Sequence, residues 1–197
     1  LQPVWSTIGV LSEPNSQASL PALAVDSTGK AYAVWSQISD KEPQISFFAA
    51  TSEDGRWARA AQVIRTTDTL ADSNGMALSA ADRIDPPALT CDEQGRLHAV
   101  WHSPQTGEIL YSRAYTRDVS TPRGWSSPVP LPSQTQITSW PYIATHPLNN
   151  EIHVIFAVPY NEGRGIYHLL SNDGGATWLT PTLVYDAAVA GWDSADK

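Results

Sequence analysis

The sequence holds a single cysteine, Cys91, among 197 residues. A lone cysteine closes no internal disulfide and builds no cysteine-based zinc site; such residues are most often small buried apolar groups. Charge is sparse, at 16% of the chain, and 12 basic side chains face 20 acidic ones for a formal charge of −8. With a pI near 4.9 the surface has no footprint for a polyanion, so nucleic acid is not an expected partner. Long hydrophobic runs are missing as well. The longest, Ile152–Val158, is broken by His153 and falls far short of the roughly 20 residues of a membrane helix, so no membrane insertion is expected. The N-terminus has no basic segment followed by an apolar one, which reads as a secretory signal absent or already removed. No window carries a sustained helical period; residues 77–81 come nearest and are too few.

What is abundant is tryptophan, with eight residues, and proline, with 15. Several of them fall in a repeat. Pro21-Ala-Leu-Ala-Val-Asp-Ser-Thr-Gly-Lys-Ala-Tyr-Ala-Val-Trp35 returns 66 positions later (87 − 21) as Pro87-Ala-Leu-Thr-Cys-Asp-Glu-Gln-Gly-Arg-Leu-His-Ala-Val-Trp101, and a looser copy starts at Pro141. The first two copies place Asp26-Ser-Thr-Gly29 and Asp92-Glu-Gln-Gly95 between two short β-branched and aromatic runs, the signature of a tight hairpin with glycine at positive φ. A second apolar strand follows, then a strand led by tryptophan, over residues 57–64, 125–131 and 178–185. Four antiparallel strands in about 50 to 65 residues fit one blade of a β-propeller, a unit that cannot bury both faces alone. The expected fold is therefore all-β. Blades are expected at 19–66, 84–131 and 139–185, with residues 1–11 as a closing strand and 186–197 leading to a further blade. Three blades fall below the usual 4 to 8, so the ring is expected to be completed by a further chain or by a C-terminal segment beyond Lys197.

Ser171-Asn-Asp-Gly-Gly-Ala-Thr-Trp178 resembles the Asp-box, Ser-x-Asp-x-Gly-x-Thr-Trp, of sialidase-like propellers, also called bacterial neuraminidase repeats. Ser52-Glu-Asp-Gly-Arg-Trp57 resembles a version two residues tighter. The resemblance implies a structural role for Ser171, Asp173, Gly175 and Trp178, and for Ser52, Asp54 and Trp57, at the end of the blades opposite the active site. It also implies that ligands meet the loops leading into each innermost strand and those joining the second and third strands. These are residues 12–19, 66–85, 133–140 and 186 onward for the first set, and 36–44, 102–108 and 159–165 for the second.

Arg83-Ile-Asp-Pro-Pro resembles the Arg-Ile-Pro motif that opens sialidases, in which an arginine binds the sialic-acid carboxylate through a bidentate fork. Arg83, with Asp82 or Asp85 as a neighbouring acid, is the candidate catalytic set, although Asp85 and an additional proline interrupt the motif. Sialidases also use two further arginines and a Tyr–Glu pair, and no such pair can be placed here. Trp140 and Trp192 lie outside the repeated tryptophan positions and fall in lead-in loops, where an exposed indole can stack on a sugar ring. Tyr160, Glu162 and Arg164 share one joining loop, and His102 opens another. The five histidines form no metal site, and no cofactor is implied.

Three functions are compatible with these residues. One is an extracytoplasmic, sialidase-like module that recognises a glycan or glycoprotein. Another is an exo-sialidase or other glycoside hydrolase whose remaining catalytic residues lie outside this chain. The third is a non-catalytic protein-interaction scaffold, since fold does not fix function. Resemblance to secreted sialidases, together with only three lysines, favours an extracytoplasmic protein, and a bacterial source is a separate expectation that no residue pattern carries.

Overall fold

The structure is a computed structural model that describes residues 9–14, 16–39, 42–69, 86–133, 135 and 138–193. It is all-β apart from two 3-10 turns, Thr116–Asp118 and Pro122–Gly124. Three antiparallel sheets follow one another along the chain. The first contains β1 (Ser16–Val25), β2 (Ala31–Ser39), β3 (Glu42–Glu53), the two-residue β4 (Arg56–Trp57) and β5 (Ala61–Thr69). The second contains β6 (Ala88–Cys91), β7 (Arg96–His102), β8 (Ile109–Tyr115) and β9 (Val129–Pro130), and the third β10 (Ser139–Thr145), β11 (Ile152–Val158), β12 (Gly165–Ser171) and β13 (Thr182–Asp186). Within each sheet the strands pair in sequence order, except that β5 pairs with β3. The first strands of the three sheets converge, β6 lying against both β1 and β10.

Period-2 alternation places the side chains. In β12 the buried positions are Gly165, Tyr167, Leu169 and Ser171, and in β11 Ile152, Val154, Phe156 and Val158 alternate likewise, with Ala157 buried beside them. Val154, Phe156, Val158, Tyr167 and Leu169 meet Val100, Ile109 and Tyr111 of the second sheet in one core. The second sheet is buried on its other face too, where Leu97, Ala99 and Trp101 pack on Tyr32, Val34, Phe47 and Ala49 of the first. Trp101 lies 4.8 Å from Phe47, ring centroid to ring centroid. Removing a buried aromatic of this size typically costs about 3–5 kcal/mol. The outer face of the first sheet holds Trp35 and Phe48, against which Leu11 packs.

Three expectations change in detail. The closing strand at 1–11 lies largely outside the described residues, and its described end, residues 9–11, is not a strand. The tryptophans expected to lead the fourth strands precede them instead: Trp125 makes an isolated bridge to Ala114 before β9, and β13 begins four residues after Trp178. Pro128 and Pro181 sit in those gaps, and proline cannot donate to a ladder. The joining loop expected at 36–44 is mostly strand, with β2 running to Ser39 and β3 starting at Glu42.

The turn after β12 is organised by side chains. Asp173 Oδ1 accepts from the Thr177 amide (2.8 Å) and the Ala176 amide (3.0 Å), while Oδ2 accepts from the Thr177 hydroxyl (2.6 Å). Ser171 Oγ donates to Asp173 (2.8 Å) and accepts from the Gly175 amide (2.9 Å). Trp178 then meets Tyr111 of the second sheet edge-on at 5.1 Å. The shorter motif is built otherwise. Asp54 and Gly55 have φ of 51° and 75°, the positive pair of a two-residue type I′ hairpin between β3 and β4, because two fewer residues leave no room for the wider turn.

A buried polar chain ties the hairpin end together. Asp92 accepts from the Arg96 amide (2.8 Å), Arg96 Nε (2.6 Å) and His98 Nε2 (3.0 Å). Since a carboxylate only accepts, Nε2 carries the proton, and in the neutral ring Nδ1 accepts from the Tyr111 hydroxyl at 2.7 Å. Burial holds His98 below its usual pKa despite Asp92. Asp92 is raised by burial, but its bonds from His98 and Arg96 outweigh this and hold it at about 2. Hydrogen bonds from Thr177 likewise hold Asp173 at about 2. The first copy repeats the scheme 66 positions earlier, Tyr32 donating to Asp26 at 2.7 Å.

Two predictions follow from this end of the molecule. A side chain at Gly175, at φ 79°, would overlap the Tyr111 hydroxyl, whereas Gly29, at φ 86°, has open space. Gly175→Ala should lower Tm by about 6–12 °C and Gly29→Ala by about 2–5 °C, because both cost left-handed strain and only the first adds a clash; equal shifts in thermal melts would contradict the packing. Asp92 and Asp173 contribute stability above their unfolded pKa near 4, and that contribution is lost as pH falls toward 2. Urea midpoints should therefore drop steeply between about pH 4 and pH 2, and less steeply in Asp92→Asn.

Candidate functional site

The ends of the sheets away from the hairpins carry the lead-in and joining loops. One feature of the inner strands shapes this end. Pro21 and Pro141 occupy equivalent repeat positions, and in both strands the register shifts just there, between Ser19 and Ala22 in β1 and between Ser139 and Tyr142 in β10. A proline supplies no N–H to the ladder, and a bulge absorbs the missing bond. In the third sheet the residue before that proline is Trp140.

Trp140 has φ of 47°. A left-handed backbone is unfavourable for a bulky residue, and the residue before a proline is normally driven to extended conformations. The indole is nonetheless 43% exposed. It lines a cavity of about 300 Å3 whose other walls are Pro86, Pro87, Leu89, Pro141, Tyr142 and Ile143. The cavity thus sits where β6 and β10 start, beside the converging inner strands. Its lead-in segment is fixed: Thr138 donates to the carbonyl of Gly107 through both its amide (3.1 Å) and its hydroxyl (2.7 Å). Gly107 belongs to the joining loop 103–108, closed by bonds from the Gly107 and Thr106 amides to Ser103. A platform mounted on such a loop is preorganised rather than swinging free.

The other candidate residues divide into two groups. Arg164 donates to the carbonyl of Trp192 (2.7 Å) and to that of Asn161 (3.1 Å), and the Ala187 amide donates to the Arg164 carbonyl (3.2 Å). Its guanidinium is a staple that joins loop 159–164 to the segment after β13. Tyr160, Glu162 and Trp192 are exposed on these segments. His102 ends β7, half-buried, at the mouth of loop 103–108. Asp82, Arg83 and Asp85 lie outside the described residues, Asp85 directly preceding Pro86 in sequence. Among the described residues no group of three or more His, Cys, Asp or Glu side chains could hold a metal ion, and no helix is long and apolar enough to cross a membrane.

Sequence reasoning pointed to Trp140 but missed its partners. Tyr142 is 70% exposed, and its place just past Pro141, two residues from Trp140, was the available signal. Pro86 and Pro87 read only as a strand start, because their facing β10 is a long-range event.

No protein-family model matches the chain, and no curated protein matches it. Solved structures do. A protein of unknown function from Dyadobacter fermentans has a TM-score of 0.61 at 12% identity, covering 86% of this chain and 55% of that one. A GH43 endo-arabinanase from Bacillus licheniformis has a TM-score of 0.51 at 14% identity, covering 81% of this chain and 53% of that one. An exo-1,5-α-L-arabinanase from a bovine ruminal metagenomic library has a TM-score of 0.52 at 13% identity, covering 86% and 60%. The arabinanases are five-bladed β-propellers. The likeness is therefore to propellers in general and is not specific to sialidases, so the Asp-box resemblance is narrower than the fold that is shown. The chain spans between half and three fifths of the length of these structures, and at such identities the likeness shows the fold alone: successive antiparallel sheets arranged as in a β-propeller.

Proposed function

We propose that this chain is a carbohydrate-recognising propeller module that binds a glycan at the lead-in end, with Trp140 as the stacking platform. The observation that carries this reading is Trp140 itself: a large aromatic held in a left-handed conformation before a proline, half-exposed at an apolar cleft. Strain of this kind costs about 1–3 kcal/mol and concentrates at functional sites. An indole face beside a sugar ring offers apolar contact together with one N–H donor. Similarity to arabinanases supports a neutral saccharide as the first ligand to try, and the Asp-box resemblance supports sialosides as the second. Cleavage is the second reading, supported by the arabinanase likeness; it would require acids from Asp82 or Asp85 or from outside the chain. Such a module fits an extracytoplasmic setting.

The ring itself belongs to the proposal. On the outer face of the third sheet, Tyr142, Ile155 and His168 stand in one cross-strand row, with Tyr142 70% and Ile155 45% exposed. A further propeller blade, from another chain or from adjoining sequence, would bury that row. Five blades in the arabinanases and a span of about half their length support this reading.

Trp140→Ala should weaken binding of arabino-oligosaccharides or sialyllactose at least tenfold in calorimetry while changing Tm by less than about 3 °C, since the residue is 43% exposed and alanine, which keeps a Cβ, leaves the backbone strain as it was. Unchanged affinity for both glycans would remove Trp140 from the site. For the ring, the 197-residue chain should either reach at least twice 21.4 kDa in light scattering or, as a monomer, bind a dye for exposed apolar surface, and a monomer that binds no such dye would contradict a blade-covered face.

A further inference from the structure

The opposite end of the second sheet holds a different cavity. It has a volume of about 300 Å3 and is lined by Arg96, Arg113, Arg123, Tyr115, Trp125 and Ser126. Three of the chain's nine arginines thus converge in a protein of net charge −8. β7 starts at Arg96 and ends at His102, so about 20 Å of strand separates this cavity from the lead-in end.

The sequence brings the three arginines to the cavity wall by separate routes. Arg96 follows the Asp92–Gly95 turn, Arg113 lies opposite His98 in the β7–β8 ladder, and Arg123 sits in the 3-10 turn Pro122–Gly124. Their compensation is unequal. Arg96 pairs with Asp92 at 2.6 Å and reaches Gln94 Oε1 at 3.3 Å. Arg113 donates to the carbonyl of Gly174 in the third sheet. Arg123 has no side-chain partner among the described residues, and Asp118 on the preceding turn pairs with Arg117 at 3.3 Å. Among the described residues the one carboxylate paired with any of the three is Asp92, which meets Arg96 alone and is shared with His98, held below its usual pKa by burial. Like charges held around one cavity repel unless an anion enters, and the planar guanidinium fork suits an oxyanion.

The walls narrow the ligand further. A free tetrahedral ion fills only a small part of such a volume, which lies at the lower end for small-molecule pockets. Tyr115, 47% exposed, adds an aromatic wall. We infer that this cavity is a second binding site, separate from the Trp140 cleft, that takes an acidic sugar unit and holds its carboxylate between Arg96, Arg113 and Arg123. A polynucleotide is disfavoured by the net charge of the rest of the surface.

Calorimetry of the intact chain with galacturonate tests this, with galactose and sodium sulfate as the comparison ligands. Galacturonate should bind saturably and galactose should not. Arg123→Gln should weaken galacturonate at least fivefold with no change in Tm, because that side chain is exposed and unpaired, whereas Arg65→Gln, an exposed arginine that does not line the cavity, should change nothing. No saturable galacturonate binding, or binding that Arg123→Gln leaves intact, would overturn the site. Sulfate binding as tight as galacturonate would overturn the sugar-acid assignment. Loss of galacturonate binding in Trp140→Ala with retention in Arg123→Gln would move the ligand to the other cleft and defeat the inference.

Discussion

Each sheet of this chain is apolar on both faces, and that constraint organises everything else. An antiparallel sheet can normally leave one face to water. Here the second sheet cannot, because Leu97, Ala99 and Trp101 project to one side while Val100 and Tyr111 project to the other. It is stable only as the middle layer of a stack, and the stack turns because the inner strands β1, β6 and β10 lie close together while their sheets diverge. Burying a face at roughly 25 cal/mol per Å2 gives an energetic reason for the third sheet's Tyr142 and Ile155 to seek a neighbour as well.

The same stacking leaves two chemically different ends. At the hairpin end, short turns with positive-φ glycines and a buried Asp92–His98–Tyr111 chain hold the second sheet together, and the turn around Asp173 closes onto it, Trp178 meeting Tyr111 and Arg113 donating to the Gly174 carbonyl. At the other end the chain spends prolines. Pro141 interrupts the inner ladder, the bulge forms, and the residue in front of it is forced into a conformation that glycine would accept more easily. A tryptophan stands there. Sites built on a rigid layer with a local defect combine precision of placement with access for a ligand.

Much of the fold was legible in the sequence because its signals are local. The 66-residue repeat, the Asp-x-x-Gly hairpins at Asp26 and Asp92, and the alternation in 165–171 each depend on residues a few positions apart. The starts of the fourth strands were not, since Trp125 and Trp178 look like strand residues and only Pro128 and Pro181 show that the ladder begins later. The lead-in cleft was half legible. Trp140 stood out as a tryptophan outside the repeat, whereas its walls at Pro86 and Pro87 come from another sheet. The surroundings of Arg164 were hidden for a related reason: nothing local reveals that its guanidinium meets the carbonyl of Trp192, 28 positions away. The triple-arginine cavity was invisible to spacing, because Arg96, Arg113 and Arg123 meet only after the 3-10 turns fold back on β8.

The central claim is that a glycan is recognised on the Trp140 indole. Each of the eight tryptophans contributes one indole N–H signal to a nitrogen-15 correlation spectrum, and the Trp140 signal is identified by its absence in Trp140→Phe. Titration with arabinotriose and, separately, with sialyllactose should shift the Trp140 signal first and most with at least one of them. Shifts confined to other tryptophans, such as Trp192, or a spectrum that neither saccharide perturbs, would contradict it.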